Sequence, residues 1–268
     1  MKCYIENILS DKELYSDLKV LIPDSGLRRR MSKIVKTAVG TAIECAGGIE
    51  NVRCVDAIIT STGWGCLIDS ERFLRNIIND NEQLLNPTPF IQSTFNTVGG
   101  QIALLAHNQS YNVTYVNRSH SFEDALLDAV LRIEDGESSS VLVGSYDEQT
   151  ESQHKIMERM GTYKYLKDGE GCVFAKLTST LHEGCKAQIS RIDFLNEIIS
   201  VDECRQKYAS CEQTLVLYND FEVEGIYPTV SAKVLVKAIG LLLDGIPEVV
   251  IYNSYWSNKA SVIVLKCI

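Results

Sequence analysis

Residues 87–151 read PTPFIQSTFNTVGGQIALLAHNQSYNVTYVNRSHSFEDALLDAVLRIEDGESSSVLVGSYDEQTE, and this stretch decides the fold. Residues 113–116 (VTYV) predict a strand, because β-branched and aromatic residues favour the half-buried surface of a sheet. Apolar residues at helical spacing predict a helix from about Ser121, which ends at the turn Gly136-Glu137. Residues 141–144 (VLVG) then predict a second strand. This order of elements is typical of an α/β protein.

The same alternation of helix and strand extends over the rest of the chain and favours an α/β layered structure. Apolar residues at helical or buried-strand spacing carry this prediction. Further helices are expected at 31–46, from about residue 69 to 78, and at 97–107, 201–209 and 230–244. Further strands are expected at 55–59, 171–178, 186–194, 214–217, 248–252 and 260–266.

Local signals predict where several elements begin and end. Gly47-Gly48 is expected to end the helix at 31–46, and Asp69 or Ser70 is expected to cap the next helix. Ser121 is the predicted N-cap of the long helix that follows the 113–116 strand. Asn86-Pro87-Thr88-Pro89 predicts a connection, because proline is excluded from helix interiors. Residues 182–184 (HEG) suggest a hairpin turn between the two strands that flank them.

Composition excludes several classes of protein. With 26 basic and 35 acidic residues the net charge is −9, which argues against a nucleic-acid binder. The nine cysteines are odd in number and form no CxxC pair, so we expect free thiols in a cytoplasmic protein, with no zinc site and no cofactor. The charged N-terminus does not resemble a signal peptide, and no stretch reaches 18 apolar residues, so no membrane span is expected.

Several segments together resemble the β-ketoacyl synthases, condensing enzymes of the thiolase superfamily. In that family a strand enters a sharp turn with a nucleophilic cysteine, a long helix follows, and the next strand ends in glycine and an acidic residue. Residues 112–148 are similar to this pattern in order and spacing. Weaker similarities lie in LRRRMSK at 27–33, STGWG at 61–65, DGEGC at 168–172 and NSYW at 253–256.

The resemblance implies a fold and a dimer interface. The chain would be a single thiolase-like domain, residues 1–268, with two pseudo-repeated halves at 1–178 and 186–268, the second one abbreviated. In the family, the strand before the nucleophile continues the sheet across a two-fold axis into the partner subunit. The corresponding interface residues here are Asn112, Val113, Thr114, Tyr115, Val116 and Asn117.

The chain departs from the family at the residues that carry catalysis. Ser119 falls at the nucleophile position, with His120 next to it, where the family has cysteine. The family's His-Gly-Thr-Gly-Thr loop is replaced by NDFE at 219–222, and the segment at 231–236 keeps Lys233 without a histidine. The glycine-rich loop before the last strand is also lost, since SNK stands at 257–259.

These departures predict a protein that has lost ketosynthase activity. Condensation needs a nucleophile that holds the acyl chain as a thioester, and serine has no counterpart of the thiolate. We therefore expect a chain-length-factor-like subunit, paired with an active ketosynthase or with itself and working with an acyl carrier protein in fatty-acid or aryl-polyene-like polyketide synthesis. The alternative is an acyltransferase or thioesterase that uses Ser119. A non-catalytic, acyl-binding homodimer is a third possibility.

Other candidate sites have simpler interpretations. Ser119 and His120 are adjacent without a Gly-x-Ser-x-Gly elbow, so helix capping at a solvated turn is favoured over hydrolase chemistry. Cys66 is expected to be a buried thiol at a tight turn. The glycines of STFNTVGG at 93–100 are expected to pack against a neighbouring helix. Asp147 and Glu148, with Glu151 nearby, are expected to form a solvated strand end and not a metal site.

Overall fold

Nine strands form one mixed sheet in the computed structural model, which describes residues 2–163, 167–219, 221–254 and 258–268. The strands are β1 (Cys3–Ser10), β2 (Ala57–Ser61), β3 (Tyr111–Tyr115), β4 (Ser140–Asp147), β5 (Gly171–Thr178), β6 (Ala187–Leu195), β7 (Leu215–Tyr218), β8 (Glu248–Asn253) and β9 (Ala260–Lys266). The helices are α1 (Leu18–Leu21), α2 (Ser25–Arg30), α3 (Lys33–Cys45), α4 (Ile49–Arg53), α5 (Leu67–Asn79), α6 (Pro87–Ser93), α7 (Thr97–Ala106), α8 (Ser121–Glu134), α9 (Glu151–Arg159), α10 (Val201–Tyr208), α11 (Phe221–Glu224) and α12 (Ser231–Leu243). Asp220 and residues 255–257, which belong to two of the loops compared with the family above, lie outside the described residues.

The sheet consists of two sets of strands with the same directional pattern. In the order β3-β2-β4-β5-β1, β2 is parallel to both neighbours and β5 is antiparallel to β4 and β1. In the order β7-β8-β9-β6, β7 is parallel to β8, and β9 is antiparallel to β8 and β6. An antiparallel pairing of β1 with β6 joins the sets. The predicted α/β class is confirmed, while the division into one domain with halves at 1–178 and 186–268 stays a prediction.

Helices α8 and α12 share one central core with strands of both sets. Along β2, Ile59 faces this core, while Ile58 faces the opposite side, where α3 and α7 pack. Along β8, Ile251 faces the central core and Val250 faces the side covered by α10. Because both faces of these strands are buried, they read in the sequence as continuous apolar runs and not as alternating patterns.

The predicted end of the helix at 31–46 is confirmed, but the helix predicted from about residue 69 begins at an earlier residue. Gly47 has a φ of 81°, and the N–H of Gly48 donates to the carbonyl of Ile43 at 2.8 Å, which closes α3 with a left-handed turn. The prediction that Asp69 or Ser70 caps the next helix is wrong. Helix α5 begins at Leu67 with Cys66 at its N-cap position.

Two further predictions are corrected by the structure. The segment at 86–89 starts a helix: the Asn86 side chain accepts from the N–H of Thr88 at 2.9 Å, and Pro87 is the first residue of α6. Proline is suited to this position, because the first N–H of a helix has no partner within the helix. Strands β5 and β6 are not a hairpin, since both pair with β1. Neither β1 nor α9 was predicted.

Candidate functional site

The turn between β3 and α8 is held in a strained conformation. Arg118 has a φ of 51°, in the left-handed region that costs a residue other than glycine free energy. The Ser121 hydroxyl stabilises the turn, because it accepts from the N–H of Asn117 and donates to the Arg118 carbonyl, both at 2.8 Å. Ser121 is the first residue of α8 and not its N-cap, which is His120.

Ser119 and His120 lie inside the protein, with exposed fractions of 1% and 7%. The expectation of a solvated turn is therefore wrong. The Asn253 amide donates to the Ser119 carbonyl at 3.0 Å, and the His120 ring meets Phe194 edge-on, with ring centroids 6.0 Å apart. Neither nitrogen of His120 has a hydrogen-bond partner among the described residues. The structure therefore does not bring Ser119 and His120 together as a hydrogen-bonded pair.

Glu123, in the first turn of α8, connects this turn to the second set of strands. Its Oε1 accepts from the Asn253 amide at 2.7 Å and from the Ser261 hydroxyl at 3.1 Å. Asn253 in turn accepts from the Asn219 amide at 2.7 Å, so β8 and β9 meet at this carboxyl and the segment after β7 joins them through Asn253. Complete burial raises the pKa of Glu123, and Asn253 and the nearby His120 act in the opposite direction.

Asp147, at the end of β4, is the acceptor for five hydrogen bonds in the interior. Its Oδ1 accepts from the Thr62 hydroxyl and from the N–H groups of Gly63 and Trp64, at 2.7 to 2.9 Å. Its Oδ2 accepts from the N–H and hydroxyl of Thr229, at 3.0 and 2.8 Å. Asp147 is completely buried, so the interpretation of this strand end as solvated is wrong. The carboxyl ties the loop after β2 to the segment before α12.

Glu148 is also buried, beside other acidic groups. Its Oε2 accepts from the N–H of Ile68 at 2.8 Å, and its side chain is 1% exposed. Burial, with a smaller contribution from the neighbouring Asp69 and Glu170, raises the pKa of Glu148 to about 7.

The raised pKa of Glu148 predicts how stability depends on pH. The folded protein binds this proton more tightly than the unfolded chain, whose Glu148 has the ordinary pKa of 4.5. The stabilisation is fully present below 4.5 and is lost as the pH rises through about 7. We expect the melting temperature to fall by a few degrees across this window and the Glu148→Gln variant to show a flatter profile. An equally steep decline in the variant would contradict the assignment.

One cavity of about 550 Å³ is lined by Gln149, His154 and Asp168, and another of about 490 Å³ lies closer to the turn. Trp64, Met157, Met160 and Pro228 give this second cavity largely apolar walls, and Arg118 supplies a cation. The cavity therefore adjoins the residue before Ser119 and is bounded by the loop that Asp147 holds.

The remaining candidates from the sequence have structural roles. Cys66 is buried, and burial raises the pKa of its thiol, as expected for an unreactive cysteine. Gly99 approaches Thr60 and Asn112 of two strands and not a neighbouring helix, so that expectation is wrong. Glu151 pairs with a lysine of its own helix at the surface. No group of three or more His, Cys, Asp or Glu side chains placed to hold a metal ion occurs among the described residues.

Strand β3 forms one edge of the sheet and has β2 as its neighbour on one side. The carbonyl of Tyr115 accepts from the N–H of Thr62, just beyond β2, so the backbone groups of Tyr115 point toward β2. Because backbone direction alternates along a strand, those of Thr114 and Asn112 point toward the open edge. The segment proposed as an interface thus presents backbone groups that a further strand can pair with.

The sequence matches the family profile described as "Beta-ketoacyl synthase, N-terminal domain" over residues 16–175, more than half of the chain. The chain belongs to this β-ketoacyl synthase family. No curated protein sequence matches at a significant level. Within the described parts of the chain, no helix has the length and apolar character that crossing a bilayer requires.

Solved structures with a similar fold agree with the family assignment. One is the ishigamide ketosynthase/chain length factor, with a TM-score of 0.75 and 13% identity over 94% of this chain and 85% of that one. Another is a type II polyketide synthase acyl-carrier protein in complex with its ketosynthase, with a TM-score of 0.77 and 11% identity over 99% of both chains. A Xenorhabdus doucetiae ketosynthase in complex with its chain length factor has a TM-score of 0.56 and 16% identity over 90% and 80%. The thiolase-like β-ketoacyl synthase fold is confirmed.

Sequence reasoning missed the buried polar residues of this β-ketoacyl synthase family member. Glu123 was indistinguishable from a favourable acidic residue in a first helical turn. Asn253 follows the predicted strand at 248–252, where an asparagine is typical of a loop. Asp147 is the last residue of β4, but Gly144 and Ser145 separate it from the apolar run at 141–143, so no feature of the sequence indicates that the strand continues to its position.

Proposed function

We propose that the chain is a non-catalytic β-ketoacyl synthase-like subunit of the chain-length-factor type. It pairs with an active ketosynthase in fatty-acid or polyketide synthesis, with aryl-polyene-like pathways as the narrower suggestion. The observation that carries the proposal is Ser119 in the strand–turn–helix where the family has cysteine. Serine does not supply a thiolate, and its backbone is bound into the Asn253–Glu123 network.

The environment of the cysteines supports the same proposal. A ketosynthase needs a thiol whose pKa is lowered by its surroundings. Burial instead raises the pKa of Cys3, Cys45 and Cys172 to about 12 each. Cys54, Cys211 and Cys267 are exposed at the surface, whereas the turn at Ser119 is buried.

The partner, in this proposal, adds a strand to the open edge at Asn112–Asn117. Two of the similar structures contain a ketosynthase with a chain length factor, which favours a heterodimer over a pair of identical chains. An acyl carrier protein is the second partner, and a structure with such a carrier is among the neighbours. The exposed basic end of α2, with Arg29 and Arg30, suits an acidic carrier. Free cysteines fit a cytoplasmic location.

Ser119→Ala separates this function from the alternative acyltransferase or thioesterase. We expect the chain to co-purify with a cysteine-containing ketosynthase co-expressed from the same genome, and the variant complex to form product within about two-fold of the wild-type rate. Removing a true nucleophile would instead lower the rate by orders of magnitude. The measurement is product formation from acyl-carrier thioesters, followed by mass spectrometry.

The control is the matching alanine variant of the partner ketosynthase's catalytic cysteine, which should abolish product formation. Loss of activity in the Ser119→Ala complex, or an acyl group found on Ser119 by mass spectrometry, would contradict the proposal. Failure of the chain to bind any such ketosynthase would also contradict it.

A further inference from the structure

The interior around the start of α8 contains five polar atoms that have no hydrogen-bond partner among the described residues. They belong to side chains that are at least nine-tenths buried. The atoms are Nδ1 and Nε2 of His120, Oε2 of Glu123, Oδ1 of Asn219 and Oγ of Ser231. In native proteins nearly all buried polar atoms are hydrogen-bonded to protein or ordered water, so five in one region need an explanation.

These atoms form one cluster and not five separate defects. Glu123 is bound to Asn253, and Asn253 is bound to Asn219, each at 2.7 Å. His120 adjoins Ser119, whose carbonyl accepts from the same Asn253 amide at 3.0 Å, and Ser231 is the first residue of α12, which shares the central core with α8. The free atoms of His120, Glu123 and Asn219 therefore belong to one region, which hydrogen bonds of Asn253 hold together.

Reorienting the His120 ring does not satisfy its two nitrogens. Turning the His120 ring over exchanges two nitrogens that both lack partners, so neither orientation helps. The cluster is rich in acceptors, since Glu123 and Asn219 each contribute an oxygen and a neutral imidazole donates through one nitrogen only. A guest that both donates and accepts hydrogen bonds is required. Water meets this requirement and commonly occupies buried sites with two to four polar partners.

The geometry points to a binding site for ordered water at this cluster, in which water bridges the His120 imidazole to the Glu123 carboxyl beside Ser119. The bound water also reaches Asn219 and Ser231, so it joins α8, α12 and the segment after β7. The inference goes beyond the proposed function and does not depend on it, because it rests on the buried atoms alone.

The His120→Phe variant tests the proposed water site, because the two possibilities change the melting temperature in opposite directions. Phenylalanine keeps a similar planar shape but removes both nitrogens. If water binds the imidazole, the variant loses those hydrogen bonds and leaves the water under-coordinated, and we expect the melting temperature to fall by about 5 °C. If the nitrogens are unpaired in the protein, removing them relieves a penalty and the melting temperature rises, which would overturn the inference. His182→Phe, at an exposed histidine, is the control and should change little.

Two further measurements test the inference on the unchanged protein. The first applies even if the His120→Phe variant does not fold, and the second distinguishes bound water from a bound cation. A high-resolution crystal structure of the unchanged protein should show water within hydrogen-bond distance of His120 and Glu123, and a dry cluster would overturn the inference. Melting temperatures in sodium, potassium and ammonium chloride at equal ionic strength should agree. A specific increase with one cation would overturn water as the guest.

Discussion

Replacing Asp147 with alanine should lower the free energy of unfolding by about 4 kcal/mol, one of the largest effects expected of a single substitution in this protein. The carboxyl accepts five hydrogen bonds and is completely buried, so its loss leaves five donors without partners in the interior. Because the carboxyl joins the loop after β2 to the segment before α12, the variant also loosens the contact between these two segments. Urea unfolding measures the change.

Asp56→Ala is the matched control for this prediction. Asp56 also accepts hydrogen bonds from backbone and hydroxyl groups, at Ser139 and Ser140, but at a more exposed position. Water can replace those bonds, so the expected loss is about 1 kcal/mol. Equal losses in the two variants would show that the burial of Asp147 is not what makes it important. The Asp147→Ala variant should also reshape the cavity at Trp64, since the N–H of Trp64 is one of the five donors.

The parts of the fold that local chemistry determines were predictable from the sequence. The apolar period of α3 and its glycine end, and the strand–helix–strand unit from β3 to β4, depend on residues close together in the chain. Pairing partners were not predictable in this way. Strand β1 lies between β5 and β6, which are more than 160 residues further along the chain. Nothing in the sequence of β1 indicates that it pairs with these two strands.

The residues around the candidate site were not predictable from the sequence. The resemblance to β-ketoacyl synthases pointed to the turn at Ser119, and the structure places that turn in the interior. The network around it depends on Asn253 and Ser261, which lie 130 and 138 residues from Glu123. Polar residues at such separations show no periodicity, so only the folded chain reveals that they meet. Asp147 was misinterpreted for the same reason, because its donors at Thr229 are distant in sequence.

Thr114→Pro is expected to abolish partner binding while leaving the fold intact. The backbone N–H of Thr114 points to the open edge of β3, so proline removes no hydrogen bond to β2. An added partner strand loses that bond and meets the proline ring, and we expect at least about a 100-fold weaker complex, or about 3 kcal/mol. The measurements are co-purification and titration calorimetry with the ketosynthase partner, together with the melting temperature of the free chain.

Thr114→Val is the control that isolates the backbone effect. The Thr114 hydroxyl hydrogen-bonds to that of Thr60 at 2.7 Å, and both substitutions remove this bond, whereas valine keeps the backbone N–H. The valine variant should therefore bind the partner normally and share only a small loss of stability of about 1 kcal/mol. Val113→Pro completes the comparison, because its N–H faces β2 and its loss should destabilise the free chain itself. If Thr114→Pro binds as well as the wild type, the open edge of β3 is not the interface, and the partner must use another surface.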